Sequence, residues 1–300
     1  EVYNYSALLF AFEEENIAVT GKGTLNGQAG KKNWWSWKKR HDRDRKQIRK
    51  WGQEGVDLDK RRFPEGSYLR PNFFQPYRCK NLLIEDVTFR DAPMWFVNPV
   101  LCENVIITGI KTVGHGPNND GVDPECCKDV LIENCFFDNG DDCIAVKSGR
   151  DNDGRRVGAA SENIIIRNCT LKDGRGGITV GSEVSGDVRN IFAEDCILSS
   201  PDLLRGLRLK SNTDRGGIIE NIYLRNIEIG EVKESAIDID MDYAGRDEGD
   251  FLPVIRNVLV EEVVCHKAPR IFKLIGHRKS KISNVTVKNC TFSGLTEPDR

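Results

Sequence analysis

One short phrase constrains this chain more than any other feature: a polar residue, then Asn or Asp, then alternating apolar residues. It reads Lys80-Asn81-Leu82-Leu83-Ile84, Glu103-Asn104-Val105-Ile106-Ile107 and Lys128-Asp129-Val130-Leu131-Ile132. It returns at Glu162-Asn163, Arg189-Asn190, Glu220-Asn221, Arg256-Asn257 and Ser283-Asn284. The intervals, counted from Asn81, are 23, 25, 34, 27, 31, 36 and 27 residues. Each unit holds Val- and Ile-rich runs of strand length with period-two alternation, broken by Gly, Asn and Asp, and no convincing amphipathic helix lies between units. Such a unit cannot bury its apolar face alone, but stacked copies can. The expectation is an all-β chain, a right-handed parallel β-helix, with Asn and Cys columns forming internal ladders along the axis. Whatever exceeds a minimal coil of about 22 residues becomes loops on one side, as at residues 149–161.

An earlier coil is visible at Glu15-Asn16-Ile17-Ala18-Val19-Thr20, 65 residues before Asn81, so it carries an insertion. Residues 31–62 hold thirteen Lys or Arg against five Asp or Glu, a local excess of +8, while the whole chain sums to −2 and the remainder to about −10. Trp34, Trp35, Trp37 and Trp51 are interleaved with these cations. Aromatic rings among cations suit bases on a nucleic acid or the sugar faces of an anionic glycan; the alternative is a helical flap whose tryptophans pack on the solenoid. The acidic remainder speaks against nucleic acid. The 300 residues read as one catalytic β-helix domain carrying the 31–62 insertion, with coils already running at the start and still running at Cys290, as in a piece of a longer protein. No apolar run approaches the ~18 residues of a membrane span, and a signal peptide is absent or already removed. Ten cysteines in a chain this long do not read as a disulfide framework. Cys135, Cys169, Cys196 and Cys290 follow Asn or Asp inside apolar runs and read as buried small hydrophobes, with pairing at Cys126 or Cys127 left open.

Chemistry concentrates in Asn118-Asn119-Asp120-Gly121-Val122-Asp123 and Asn139-Gly140-Asp141-Asp142-Cys143. Asp120 and Asp141 are 21 residues apart, about one lap, so coils stacked at about 4.8 Å place them side by side. Crowded carboxyls repel and desolvate one another, which splits their pKa values and keeps one protonated while its neighbours ionise. Consecutive Asp141 and Asp142 would face opposite ways in a regular strand, unless Gly140 breaks it.

Asn118-Asn119-Asp120, Gly140-Asp141-Asp142, Gly174-Arg175-Gly176 and Arg208-Leu209-Lys210 resemble, in order and spacing, the four motifs of the polygalacturonase family, glycoside hydrolase family 28. The similarity runs from Tyr5 to Phe292. It implies an inverting glycosidase of pectin-type galacturonosyl or related uronic acid linkages, with Asp141 as general acid and Asp120 and Asp142 activating water. Inversion calls for carboxyls roughly 6.5–9.5 Å apart. It further implies that Arg208 and Lys210 bind a substrate carboxylate, with the Arg fork suited to bidentate contact. Asn118 would orient Asp120 or a sugar hydroxyl. Tyr243 is a possible sugar platform, for which core or rim placement is favoured. Arg175 stands where polygalacturonases usually carry His, and His115 is read as a turn residue. No cofactor or metal is implied; the partner would be an anionic polysaccharide, with no nucleic acid and no membrane, for a monomer working outside the cell or in a periplasm.

Two other classes compete. A calcium-dependent pectate lyase shares the β-helix, and Asp151-Asn152-Asp153-Gly154 hints at a cation loop but lacks the rest of one. A non-catalytic glycan-binding β-helix, like an adhesin or tailspike, would have no reason to cluster acids.

Overall fold

The computed structural model describes residues 5–300 and shows a right-handed parallel β-helix. The recurring phrase forms the first sheet. Its strands are Glu15–Thr20, Lys80–Glu85, Glu103–Thr108, Lys128–Glu133, Ser161–Arg167, Val188–Glu194 and Ser283–Lys288, with the first halves of Ile218–Glu231 and Val254–Lys267. The register is what the alternation demands. Ile17, Leu82, Val105, Val130, Ile164, Ile191, Ile222, Val258 and Val285 align strand to strand, and so do Val19, Ile84, Ile107, Ile132, Ile166, Ala193, Leu224, Val260 and Val287. These columns point inward and form the core; from Leu82 to Ile222 the first is at most 2% exposed. A one-residue slip would turn a whole column outward, so the register is strongly specified.

A second sheet follows through short strands such as Thr88–Arg90, Lys111–Gly114 and Phe136–Asn139. The third contains Ile144–Val146, Ile178–Val180, Arg205–Lys210, Ser235–Asp240 and Arg270–Ile275. Single bridges Val122 to Ile144, Val97 to Val122 and Phe74 to Val97 extend it toward the N-terminus. This third face carries the residues singled out for chemistry.

The Asn column is present but lies outside, not within. Each side-chain amide donates to the Asn of the preceding coil, Asn104 to Asn81 to Asn16, and Asn284 through Asn257, Asn221 and Asn190 to Asn163, at 2.7–3.1 Å. The reason is backbone geometry: these residues have φ near +55°, a left-handed conformation that Asn tolerates better than most residues, and at such a corner the side chain projects outward. The Asn/Asp-Cys pairs form a second corner of the same kind. Asn134, Asn168, Asp195 and Asn289 take positive φ, and the cysteine that follows turns inward, its thiol donating to a backbone carbonyl at 3.1–3.3 Å. All ten cysteines are free, nine buried and Cys290 half-buried, so the possible pairing at Cys126 or Cys127 is not made.

Helices do occur, both outside the coils: α1 (Asp42–Glu54) within the insertion and α2 (Asp151–Val157) in the 149–161 loop. Two acids in the first turn of α1 and Gly55 at φ 66 beyond its end fit its termini. It escapes an apolar-periodicity search because its inward face is largely cationic. The tryptophans pack on neighbouring rings and backbone: Trp34 and Trp37 lie 4.6 Å apart, Trp37 meets Tyr68, Trp51 meets Phe63, and Trp35 Nε1 donates to Ala92 O at 2.9 Å. The segment thus has the helix and the tryptophan packing that the flap alternative called for. The Asp151-Asn152-Asp153-Gly154 stretch opens α2, and its acids are taken by arginines. Asp153 accepts from buried Arg61 at 2.7 and 3.0 Å and pairs with Arg156.

Asp153→Ala should unclamp the insertion from α2. Loss of charge-assisted hydrogen bonds is expected to cost about 1.5–3 kcal/mol in urea unfolding and to speed tryptic cleavage within residues 40–62. An unchanged cleavage rate would mean that tryptophan packing alone holds the segment.

Candidate active site

Three carboxylates converge where the third sheet begins. Asp120, Asp141 and Asp142 each place an oxygen within 4.8 Å of the others. Asp141 and Asp142 occupy the turn before Ile144–Val146 rather than a regular strand, so both side chains reach the same patch. Gly140 makes this turn possible by close approach, since a Cβ there would stand 2.4 Å from Gly116 O on the preceding coil. Gly176 does the same from the following coil, where a Cβ would sit 3.0 Å from Asp142 Oδ1. The three acids come from two adjoining coils, Asp120 from one and Asp141 and Asp142 from the next, which brings their nearest oxygens together.

The three acids have different surroundings. Asp142 is 1% exposed and engaged at both oxygens: Arg208 Nη1 donates to Oδ1 at 3.2 Å and Lys210 Nζ to Oδ2 at 2.6 Å. Burial alone would raise its pKa, but Lys210, Arg208 and Lys147 hold the carboxyl well below the usual range. Asp141 moves the other way. Burial, then the Asp142 charge, push its pKa up against the pull of Lys210 and Arg175. Its Oδ1 accepts the Asp142 N–H at 3.1 Å, and Asn118 Nδ2 lies 3.4 Å from its Oδ2. Asp120 is also raised, chiefly by burial and then by Asp123 and Asp141. Repulsion was expected to leave one acid protonated and two ionised; here Asp120 and Asp141 are raised and Asp142 is lowered, because it alone has two cations in direct contact.

Asn118 serves a different acid from the one expected, and it is itself gripped. Lys38 Nζ and Arg70 Nη2 both donate to its Oδ1 at 2.7 Å, leaving its amide to face Asp141 rather than Asp120. Arg208 and Lys210 are brought together as expected, yet they are not free cations awaiting a ligand, since Asp142 already holds one donor of each. Further donors remain on both groups. Arg175, on the coil between, is 60% exposed with Nε 3.9 Å from Asp141 Oδ2. Tyr243 is half-buried at the rim, its ring 5.6 Å from the Arg208 guanidinium and 5.3 Å from Lys210 Nζ.

Sequence reasoning missed the buried ammonium beneath these acids. Lys147 Nζ lies 3.7 Å from Asp120 and from Asp123, 3.8 Å from Glu183 and 4.8 Å from the Trp95 ring. Burial would lower its pKa, but Asp123, Asp120 and Glu183 reverse the shift and raise it. The available signal was a lone Lys ending the buried Ile144–Val146 strand, five residues after Asp142. His115 is more than a turn residue: Nε2 lies 2.9 Å from Asp138 Oδ1 and 4.0 Å from Asp173 Oδ2. Among the described residues, two sets have the spacing to hold a metal ion, His115 with Asp138 and Asp173, and the Asp120, Asp141, Asp142 cluster. A cation at the second would meet Lys147, Arg208 and Lys210, which already offset its charge.

The site opens into a cavity of about 630 Å³ between the third sheet and the insertion. Ten Lys or Arg and five Asp or Glu line it, so the cavity is cationic despite its acid cluster. One carboxyl biased toward protonation beside another held ionised is the equipment of acid–base bond cleavage, here in a groove that favours a polyanion. Comparison with known proteins agrees: the description of Glycosyl hydrolases family 28 matches residues 3–298, and the chain belongs to that family. It is similar to the crystal structure of a hyperthermoactive exopolygalacturonase from Thermotoga maritima, at 39% identity and TM-score 0.96, over 98% of this chain and 69% of that one. A probable polygalacturonase of Vitis vinifera is 28% identical over 96% of this chain and 54% of the relative. An endo-polygalacturonase of Pectobacterium carotovorum subsp. carotovorum is 26% identical over 94% of this chain and 64% of the relative. The chain thus spans between half and two thirds of the length of these two relatives. Among the described residues no helix is long and apolar enough to cross a membrane.

The raised Asp141 carboxyl fixes a stability test. Above the unfolded Asp pKa of about 3.9, the unfolded chain has released a proton that folded Asp141 still holds. Its contribution therefore erodes native stability as pH rises toward the folded pKa. Asp141→Asn has no such proton, so its Tm should exceed that of the parent at pH 7, with the gain gone below about pH 4. A lower Tm at both pH values would show that the carboxylate's contacts with Asn118, Arg175 and the Asp142 N–H outweigh its burial.

Proposed function

We propose that this chain hydrolyses galacturonosyl or related uronic acid linkages in pectin-type polysaccharides, with inversion at the anomeric carbon. The observation that carries the reading is the pairing of a three-carboxylate cluster with a cation-rich cavity. A neutral glycan would need the acids but not the excess of cations. In this reading Asp141 protonates the leaving oxygen, Asp142 is the ionised base for water, and Asp120 shares the water. Asp142 is poorly suited to be a nucleophile, because both its oxygens are engaged and it is 1% exposed. That favours inversion over a covalent route. The site of action would be extracellular or periplasmic, where such a polymer is met. The exo-acting relative supports release of single sugars from a chain end.

Proton NMR of the first product should show inverted configuration, and Asp141→Asn should lower kcat by about 10²–10⁴-fold, the usual contribution of a positioned acid. Retained configuration would remove the mechanism. Unsaturated products absorbing in the ultraviolet would replace hydrolysis by elimination, and single galacturonate units against a ladder of oligomers separate exo from endo action.

Carboxylate reading divides between two kinds of cation. Arg175, exposed and weakly engaged, should on Arg175→Ala lose roughly 10- to 150-fold in kcat/KM on a free uronate, the equivalent of one charge-assisted hydrogen bond at ~1.5–3 kcal/mol, and much less on its methyl ester. Arg208→Ala and Lys210→Ala should lower activity on acid and ester alike, since each also strips Asp142 of a counter-charge. Equal losses on acid and ester for Arg175→Ala would take this residue out of substrate recognition.

A further inference from the structure

The acid cluster does not account for the arginines on the far side of the cavity. Along α1, His41 just before it and Arg45, Ile48 and Arg49 within it all line the cavity, at i, i+4, i+7 and i+8, which is one helix face. Arg150, Arg215 and Arg246 also line the cavity, close enough for their charges to act on Arg49. Those three have acids: Arg150 lies 3.5 Å from Glu183, Arg215 pairs with Asp151, and Arg246 lies 2.5 Å from Asp214. The side chains of Arg45 and Arg49 make no hydrogen bond or ion pair with any described residue, and the Nε of Arg49 is buried without an acceptor.

A fold seldom buries an unsatisfied guanidinium nitrogen such as Arg49 Nε beside other cations, because it forfeits its water and gains only repulsion. Burial first, then Arg150, Arg45, Arg246 and Arg215, bring the Arg49 pKa down to about 10, in keeping with cations close to one another. An anion entering among them would satisfy the idle donors of both α1 arginines and relieve the repulsion. Planar forks favour a planar, bidentate acceptor, and a carboxylate is one.

We propose that Arg45 and Arg49, with Arg150, Arg215 and Arg246, form a second carboxylate subsite. It takes the uronate of a sugar other than the one held beside Asp141 and Arg175. The inference rests on the proposed action on uronic acid polymers, and it explains why the insertion is there, since α1 supplies the side wall that reads a neighbouring sugar.

Binding separates the subsite from turnover. In an Asp141→Asn background, titration calorimetry would follow trigalacturonate and its fully methyl-esterified form on the parent and on Arg45→Gln/Arg49→Gln. The double variant should bind the acid trimer about 10-fold or more weakly and the ester within about 2-fold. Arg49→Lys, which keeps the charge but not the fork, should recover part of the loss. Adding Arg175→Ala should produce an additive further loss, as for groups contacting different carboxylates. Unchanged trimer binding, equal weakening of acid and ester, or a non-additive combination with Arg175→Ala would each overturn the second subsite. Binding of trigalacturonate without hydrolysis by the Asp141-intact enzyme would instead overturn the catalytic reading, and leave the subsite to be judged by its own titration.

Discussion

Everything in this molecule depends on coil stacking in strict register. Backbone hydrogen bonds fix the rise between coils at about 4.8 Å, and the inward Ile, Val and Leu columns fix the phase of each coil around the axis. With both settled, a residue's place on the surface follows from its place in its own lap. That is how Asp120, Asp141, Arg175, Lys210 and Tyr243, spread over more than a hundred residues of chain, come to line one groove. Corners are set by residues that tolerate left-handed backbone, so the Asn and Asp of the recurring phrase mark the turns and their amides tie successive coils together on the outside.

Register stacking also creates a difficulty, since like residues fall next to like. Three carboxylates on adjoining coils would destabilise the native state if left alone. The fold offsets them unequally: two cations contact Asp142, one buried ammonium is shared among Asp120, Asp123 and Glu183, and Asp141 has only Arg175 within ion-pair distance among the described residues, at 3.9 Å. Inequality is what makes the cluster useful, because carboxyls in identical surroundings would titrate as a featureless group, whereas these are driven apart. Lys147 therefore balances charge in the cluster from a position almost closed to solvent, through its contacts with Asp120 and Asp123.

The insertion is the part that stacking does not place. It is held by Trp35 on Ala92, by Lys38 on Asn118, and by the Arg61 to Asp153 clamp on α2. The Lys38 anchor ends at the groove, so the segment that closes the cavity is tied directly to Asn118, whose amide faces Asp141. Its positive charge is consequently not a diffuse surface property but a wall beside the site.

The sequence by itself determined the coil series, the parallel β-helix, the burial of the cysteines and the meeting of Asp120, Asp141 and Asp142. All of these follow from local periodicity and from counting laps, which need only the rise and the phase. It also drew Arg175, Arg208 and Lys210 toward the same site through motif order. It did not reveal that Asn118 serves Asp141, that Arg208 and Lys210 spend a donor each on Asp142, that Lys147 sits beneath the acids, or that α1 turns Arg45 and Arg49 inward. Those outcomes depend on which side chain reaches which across coils and across a long insertion. Such distances of a few ångströms are decided by tertiary packing, because side-chain reach and burial, unlike backbone register, leave no periodic trace in the order of residues.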